Sequence, residues 1–467
     1  MNTLHTKNKN VGFSEKHLLW QMIRFSFPLI ATGIIQLLFN TADSIVVGRW
    51  GGNTADECET ALAAVGSCTA LINLLINFAL GLSVGTGVCA AKAIGAKRSD
   101  ILEQIAQTSV LLACIVGLIV GGIGIIFAKT LLILMGTDPA VLDQAVPYMI
   151  AYFFGTPANM IYNFSAAILR SNGDTNRPFV YLTVAGVANF IFNIFMVLLC
   201  KLGAPGVGIA TAASQWIACF LIVGYLFGKK SFCRFSFRKL KFHSAELKEI
   251  LSIGIPSGLQ STIFSLSNIL IQSSVNSFGK VATAANAAAS SIGDYIYTAE
   301  YSFFHTSLTF VSQNVGAKKF KCARKCMLLC ILCVFVIGFS SGITCVILGE
   351  YLLSLFLPNN PVAIQMGMTR LKIMLPLYFL CGIMDVGNGV LRGMGKSLTA
   401  MLISVIGVCG TRIIWIFTIF RMFRSLEILY ISFPIAWGAT AVINIALSLL
   451  YLKRSVISDQ QKTAENF

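Results

Sequence analysis

Charge is what this sequence has least of. Only 12% of its 467 residues are Asp, Glu, Lys or Arg, whereas 56% are hydrophobic. Soluble domains carry roughly 25% charged residues, so this chain cannot clothe an ordinary water-exposed surface. Histidine is also scarce: His5, His17, His243 and His305, of which His305 alone lies in an apolar stretch. No HExxH, GxSxG, Walker A or GxGxxG pattern is present, which leaves zinc hydrolysis, serine hydrolysis and an internal ATP motor without their machinery. No enzyme, organic cofactor or resident metal is expected. The first 20 residues are polar and basic and no small-residue cleavage site follows the first apolar run, so no cleaved leader is expected.

What is abundant is long apolar runs. Blocks of about 20 residues match the length of helix that crosses a ~30 Å hydrocarbon core. Twelve spans are predicted: 23–48, 61–90, 104–128, 145–169, 178–200, 206–228, 250–278, 281–313, 327–348, 371–391, 398–420 and 428–451. The fold class is therefore all-α integral membrane. The chain holds 35 Lys and Arg against 19 Asp and Glu, and 26 of those 35 fall on the side that carries both termini. Such a bias sets orientation in the bilayer. It places both termini in the cytoplasm of a multi-pass plasma-membrane protein, and it accounts for the basic balance without nucleic acid. Of 14 cysteines, Cys322, Cys326, Cys330 and Cys333 share one helical face. They lack a second CxxC pair and are expected to pack as small apolar residues, not to hold a metal.

The chain also nearly repeats itself. Phe27-Pro28 returns as Ile255-Pro256, at an offset of 228. Ala61-Leu62-Ala63-Ala64 and Gly95-Ala96-Lys97-Arg98 return as Ala282-Thr283-Ala284-Ala285 and Gly316-Ala317-Lys318-Lys319, both at 221. Leu169-Arg170 and Gly173 return as Leu391-Arg392 and Gly395, at 222. Six spans separate the members of each pair, an even number, so the two halves share one orientation about an axis along the membrane normal. The predicted organisation is a tail (1–22), an N-lobe of six helices (23–228), a basic cytoplasmic linker (229–249), a C-lobe of six helices (250–451) and a second tail (452–467). Two like-oriented bundles around a central cavity suit alternating access.

Four of the acids fall inside spans: Asp43, Asp294, Glu300 and Asp385. A carboxylate in the bilayer core costs at least ~2.5–3.5 kcal/mol, so it normally faces an ion or substrate pathway. Asp43 shares a helical face with Gln36 and Asn40, and Asp385 shares one with Asn388 and Arg392, which stands where it could neutralise the acid. The seventh span presents Ser261, Ser265, Asn268 and Gln272, and the fifth offers Asn189 and Asn193 one turn apart. Interhelical hydrogen bonding is the alternative use of such residues. A cavity lined by several of these stripes, acidic and rich in amides, could bind a proton on a carboxylate or cage a dehydrated Na⁺ with neighbouring oxygens.

In order and in doubling, these segments resemble the multidrug and toxic compound extrusion (MATE) transporters. The resemblance rests on Pro28, the run Asn40-Thr41-Ala42-Asp43-Ser44-Ile45-Val46-Val47-Gly48, Ala61–Gly66, the two Gly-Ala-Lys turns and the two Leu-Arg-x-x-Gly signatures, and it extends from about residue 20 to 452. It implies efflux of amphipathic, often cationic, organic compounds in exchange for H⁺ or Na⁺. By similarity, Asp43 is the N-lobe cation-site acid, with Asn189 and Thr211 around it. Asn193 stands where DinF-like members have a second acid. Asp385 resembles the tenth-helix acid of NorM-like members, whose seventh-helix acid is absent: Gln260 and Ser261 occupy that neighbourhood, and Glu300 is a candidate substitute. Expected partners are the lipid bilayer, a small organic substrate and a monovalent cation, with a monomeric chain. A related exporter of lipid-linked precursors is the alternative, although its cavities are typically rich in Arg and Lys.

Overall fold

The computed structural model describes residues 17–228, 240–358 and 360–464; most of the basic linker lies outside these residues. The first half runs α1 (Leu18–Trp50), α2 (Ala55–Gly95), α3 (Ser99–Ile126), a short α4 (Ala128–Leu134), α5 (Pro139–Ser171), α6 (Asn176–Ile194, prolonged by a π-helical segment Phe195–Leu199) and α7 (Gly203–Leu226). The second half is α8 (Ser244–Asn276), α9 (Lys280–Gly316), α10 (Phe320–Ile347), a short α11 (Gly349–Phe356), α12 (Pro361–Met374), α13 (Phe379–Gly393), α14 (Ser397–Ser404, followed by a π-helical segment Val405–Gly410), α15 (Thr411–Phe417), α16 (Ile419–Met422) and α17 (Leu426–Ala464). No strand occurs among the described residues.

Nine of the described helices are long and apolar enough to cross a bilayer, and the pair α12–α13, bent by 46° near Pro376, makes a tenth. The remaining two spans are α5 and α9, 33 and 37 residues long, whose middles are largely buried among other helices. Twelve spans result, although spans 10 and 11 are broken helices rather than straight rods. The expected C-terminal tail is a helical continuation of α17 as far as Ala464.

The repeated motifs mark helix ends. In the turn after α2, Lys97 adopts φ 56° while Arg98 N–H bonds Ala93 O at 3.0 Å and Lys97 N–H bonds Ile94 O at 3.0 Å. After α9, Lys318 adopts φ 57°, with Lys319 bonding Asn314 O at 2.7 Å and Lys318 bonding Val315 O at 3.0 Å. Gly173 (φ 85°) and Gly395 (φ 84°) end α5 and α13 in the same way. All four are Schellman caps, which satisfy the last carbonyls of a helix through one left-handed residue. The starts repeat too: Asp138 before Pro139 and Asn360 before Pro361 each accept a backbone N–H from the first turn, at 2.9 and 3.0 Å. These four capped turns lie at one end of the bundle, here called the basic end because Lys92, Lys97, Arg98, Lys318, Lys319 and Lys396 cluster there.

The lobes meet along two seams related by the repeat. In one, Gly81 and Gly85 of α2 face Gly254 and Gly258 of α8, so closely that a Cβ on Gly81 would strike the Gly258 backbone. Such small-xxx-small pairs let membrane helices touch backbone to backbone. In the other, Ser26 of α1 and Thr306 of α9 share a hydroxyl hydrogen bond of 2.7 Å. Ser26 is the repeat counterpart of Gly254 and Thr306 that of Gly85, so equivalent positions meet in both seams. At the basic end, Gly95 abuts Gln313 O and Gly316 abuts Lys92 O, again reciprocal positions. The Gln313 amide donates to the terminal carbonyl of α5 at Ser171, and Lys92 pairs with Glu249 at 3.5 Å. All these cross-lobe contacts lie at or below mid-height, toward the basic end.

The predicted packing of Cys322, Cys326, Cys330 and Cys333 is observed: all four are buried with Leu18, Met22, Phe25 and Phe303 in one apolar cluster.

Candidate cation and substrate sites in the two lobes

The N-lobe brings together the four residues expected there. Asp43, two turns before the end of α1, leans on α6. The Asn193 amide donates to the Asp43 carboxylate and, at 3.2 Å, to Asn189 Oδ1. Asn189 in turn reaches Thr211 Oγ1 of α7 at 3.4 Å. Asn189 and Asn193 are 5% and 0% exposed, and Asn193 Oδ1 has no hydrogen-bond partner. A buried carbonyl oxygen without a donor normally costs free energy, so its position beside a carboxylate makes it a natural ligand atom for a cation. The π-helical segment of α6 begins two residues after Asn193, and such widened turns frequently accompany functional sites. Gln36 and Asn40 continue the α1 stripe as exposed residues.

The C-lobe sets two buried arginines among the acid and amides that the sequence places there. Asp385 is 6% exposed and its Oδ2 lacks a partner. Arg392 does not pair with it: the guanidinium donates to Gln260 Oε1 at 2.8 Å and lies 5.4 Å over the Phe304 ring. Gln260 is thus an acceptor for Arg392. Asn268 similarly accepts from Arg412 at 3.0 Å, and Arg412 stacks 4.1 Å over Phe433. Arg392 and Arg412 are each 5% exposed, and neither forms an ion pair among the described residues. Asn388 accepts from Ser404 at 2.8 Å and from Asn444 at 3.2 Å, which ties α13 to α14 and α17. The unpartnered buried atoms Asp385 Oδ2, Asn388 Nδ2, Arg392 Nε, Arg412 Nε, Asn444 Oδ1 and Ser448 Oγ lie in this one lobe. Unlike an apolar core, buried polar atoms in this state suit a polar guest or water.

The other candidates separate. Glu300 is fully buried in a slot between Gly338 of α10 and Gly382 of α13, with no side-chain partner for either carboxylate oxygen. Asp294 is exposed on the same helix. Ser261 spends its hydroxyl on Ser257 O, one turn back. Gln272 joins a separate network with Asn276 (2.8 Å) and Asn286 (3.0 Å). Sequence reasoning overlooked Arg370, which donates to Asn286 and Ser290, and gave Arg412 no site role. The available signal was Arg412's place inside an apolar run, before Ile413-Ile414-Trp415.

Two like-oriented six-helix lobes with a carboxylate–amide site in one of them define a membrane transporter of duplicated architecture. The MatE family model matches this chain twice, over residues 28–195 and 256–418, and the chain belongs to this family of multidrug extrusion transporters. The two matches begin at Pro28 and Pro256, the pair that opens the sequence repeat. The chain is 28% identical over 439 residues to the probable multidrug resistance protein YoeA of Bacillus subtilis, covering 92% of this chain and 93% of that one. A transporter of the MOP superfamily from Pyrococcus furiosus superposes with a TM-score of 0.87 at 20% identity, covering 94% of this chain and 96% of its own. A multidrug resistance MATE family transporter solved in an outward-facing conformation superposes with a TM-score of 0.86 at 20% identity, over 93% of this chain and 96% of its own. These matches give no support to a lipid-linked precursor flippase.

Proposed function

We propose that the protein is a secondary antiporter that exports amphipathic organic compounds, cationic ones among them, in exchange for Na⁺ or H⁺. The observation that carries this reading is the chain Asp43–Asn193–Asn189–Thr211, which joins α1, α6 and α7 through one carboxylate and neutral oxygens. One negative charge with several neutral oxygens suits a monovalent cation, and the carboxylate alone suits a proton. Cation binding would draw α1 toward α6 and α7, which is the differential interaction that a two-state cycle needs. Exposed Asp294 and half-buried Asp43 supply negative charge where an organic cation would enter. In this reading the basic end is cytoplasmic, as the charge bias predicts. The close lobe contacts at that end then correspond to an outward-open state.

The test is efflux of a fluorescent lipophilic cation from proteoliposomes, with Na⁺ and H⁺ gradients imposed separately. Wild-type protein should move the dye under one gradient, and Asp43→Asn should lose at least about tenfold of that rate while inserting normally. Equal rates for the mutant and wild type would sink the assignment.

A further inference from the structure

A cavity of about 800 Å³ lies at the basic end between α10 and α17, outside both polar interiors. Leu449, Leu450, Leu452 and Val456 of α17 and Phe320 of α10 give it apolar walls. Lys321 and Arg324 reach it from α10 and Lys453 from α17, and all three are exposed without an acid partner among the described residues. Along α17 the lining is apolar from Ala446 to Leu452, then sets Lys453 among Val456 and Ile457, so a basic head stands beside apolar side chains as at a headgroup boundary.

The internal repeat provides a control for this charge. At the offset of 221 that aligns the two Gly-Ala-Lys turns, Lys321 corresponds to Asp100 and Arg324 to Glu103. The N-lobe turn therefore balances its own cations, and Arg98 pairs with Asp100 at 3.6 Å. The C-lobe turn reverses both signs and leaves its cations unpaired beside an apolar cavity. Orientation in the bilayer needs positive charge on this side, but it does not need the acids of one repeat exchanged for bases around a cavity in the other.

We propose that this cavity seats an anionic phospholipid, its phosphate among Lys321, Arg324 and Lys453 and its acyl chains along Leu449 and Leu450. Basic pockets between membrane helices on the cytoplasmic side bind such headgroups. The lipid bridges the ninth and twelfth spans, which both belong to the C-lobe. The site is independent of the antiport reading and needs only that the chain spans a membrane with its basic end on the cytoplasmic side.

The experiment is native mass spectrometry of the detergent-purified full chain titrated with phosphatidylglycerol or phosphatidylcholine. Wild type should retain phosphatidylglycerol at several-fold lower concentration than phosphatidylcholine. Each of Lys321→Gln, Arg324→Gln and Lys453→Gln should weaken that preference roughly fivefold, as follows from ~1 kcal/mol per basic residue at an anionic surface. Lys97→Gln at the N-lobe turn should leave it intact, and Lys321→Arg should preserve it, which separates charge from misfolding. Equal retention of the two lipids, or an unchanged preference in the triple Gln variant, would overturn the proposal. So would full competition by inorganic phosphate at the same concentration, which would make the site one for a free anion.

Discussion

At the residue scale the protein pairs polar groups with neutral partners more than with opposite charges. Asn193 serves Asp43, Gln260 serves Arg392, and Asn268 serves Arg412. A neutral partner lowers the cost of burying a charge without cancelling it, which leaves that charge available to a guest. Arg412, desolvated and without an acid partner among the described residues, is therefore a net burden on the resting fold. Arg412→Met should raise the thermal midpoint in detergent, and a fall of the midpoint would show that the Asn268 and Phe433 contacts outweigh desolvation. A smaller burden lies in the turns. Lys318 at φ 57° holds a left-handed conformation that costs a non-glycine residue about 1 kcal/mol. Lys318→Gly should recover about that much stability, whereas Lys319→Gly, at φ −93°, should bring no gain in the same melt.

At the element scale, the two halves use one plan with different chemistry in the seams. α2 meets α8 through four glycines, whereas α1 meets α9 through the hydroxyls of Ser26 and Thr306, which stand where Gly254 and Gly85 do. Backbone-to-backbone contact tolerates no side chain, because nothing at the end of a flexible chain can move aside. Gly258→Leu should therefore destabilise by about 3 kcal/mol or abolish accumulation of folded protein, measured as the monodisperse fraction on size exclusion. Ser26→Ala should cost only about 1 kcal/mol, the usual worth of one hydrogen bond. The breaks in spans 10 and 11, at Pro376 and at the π-helical segment Val405–Gly410, flank Asp385 and Arg412. Their position gives the C-lobe site helices that can bend, since unwound or widened turns leave the regular hydrogen-bond ladder incomplete.

At the scale of the whole molecule, the cross-lobe contacts of the glycine and hydroxyl seams sit toward the basic end, so relative motion of the lobes would open the opposite end first. Spin labels at Asn53, in the turn between α1 and α2, and at Phe278, between α8 and α9, would report the opposite end. Under the antiport reading their separation should change when the coupling ion is exchanged for a substrate, and Asp43→Asn should remove the response to the ion. An unchanged distance distribution under every condition would argue for a rigid scaffold instead.

Composition and periodicity alone determined that this is a polytopic helical membrane protein, because hydrocarbon forces twenty-residue apolar runs and backbone hydrogen bonds closed within each helix. The duplication was equally legible, since helix caps demand particular residues at fixed spacing: Gly173 and Gly395, Lys97 and Lys318. Asp43 stood out because an intramembrane carboxylate is rare, and Asn189 and Asn193 because helical spacing sets them one turn apart. What the sequence could not decide is which polar groups meet. Glu300 and Asp385 look alike in a linear chain, yet one enters a slot between two glycines and the other joins a polar interior. Arg392 appeared available to Asp385 by proximity along one helix, but Gln260 of another helix holds it. Such partnerships depend on the rotation and height of neighbouring helices, which are set by where small residues permit close approach. That information is spread over helix pairs distant in sequence, and only the packed bundle expresses it.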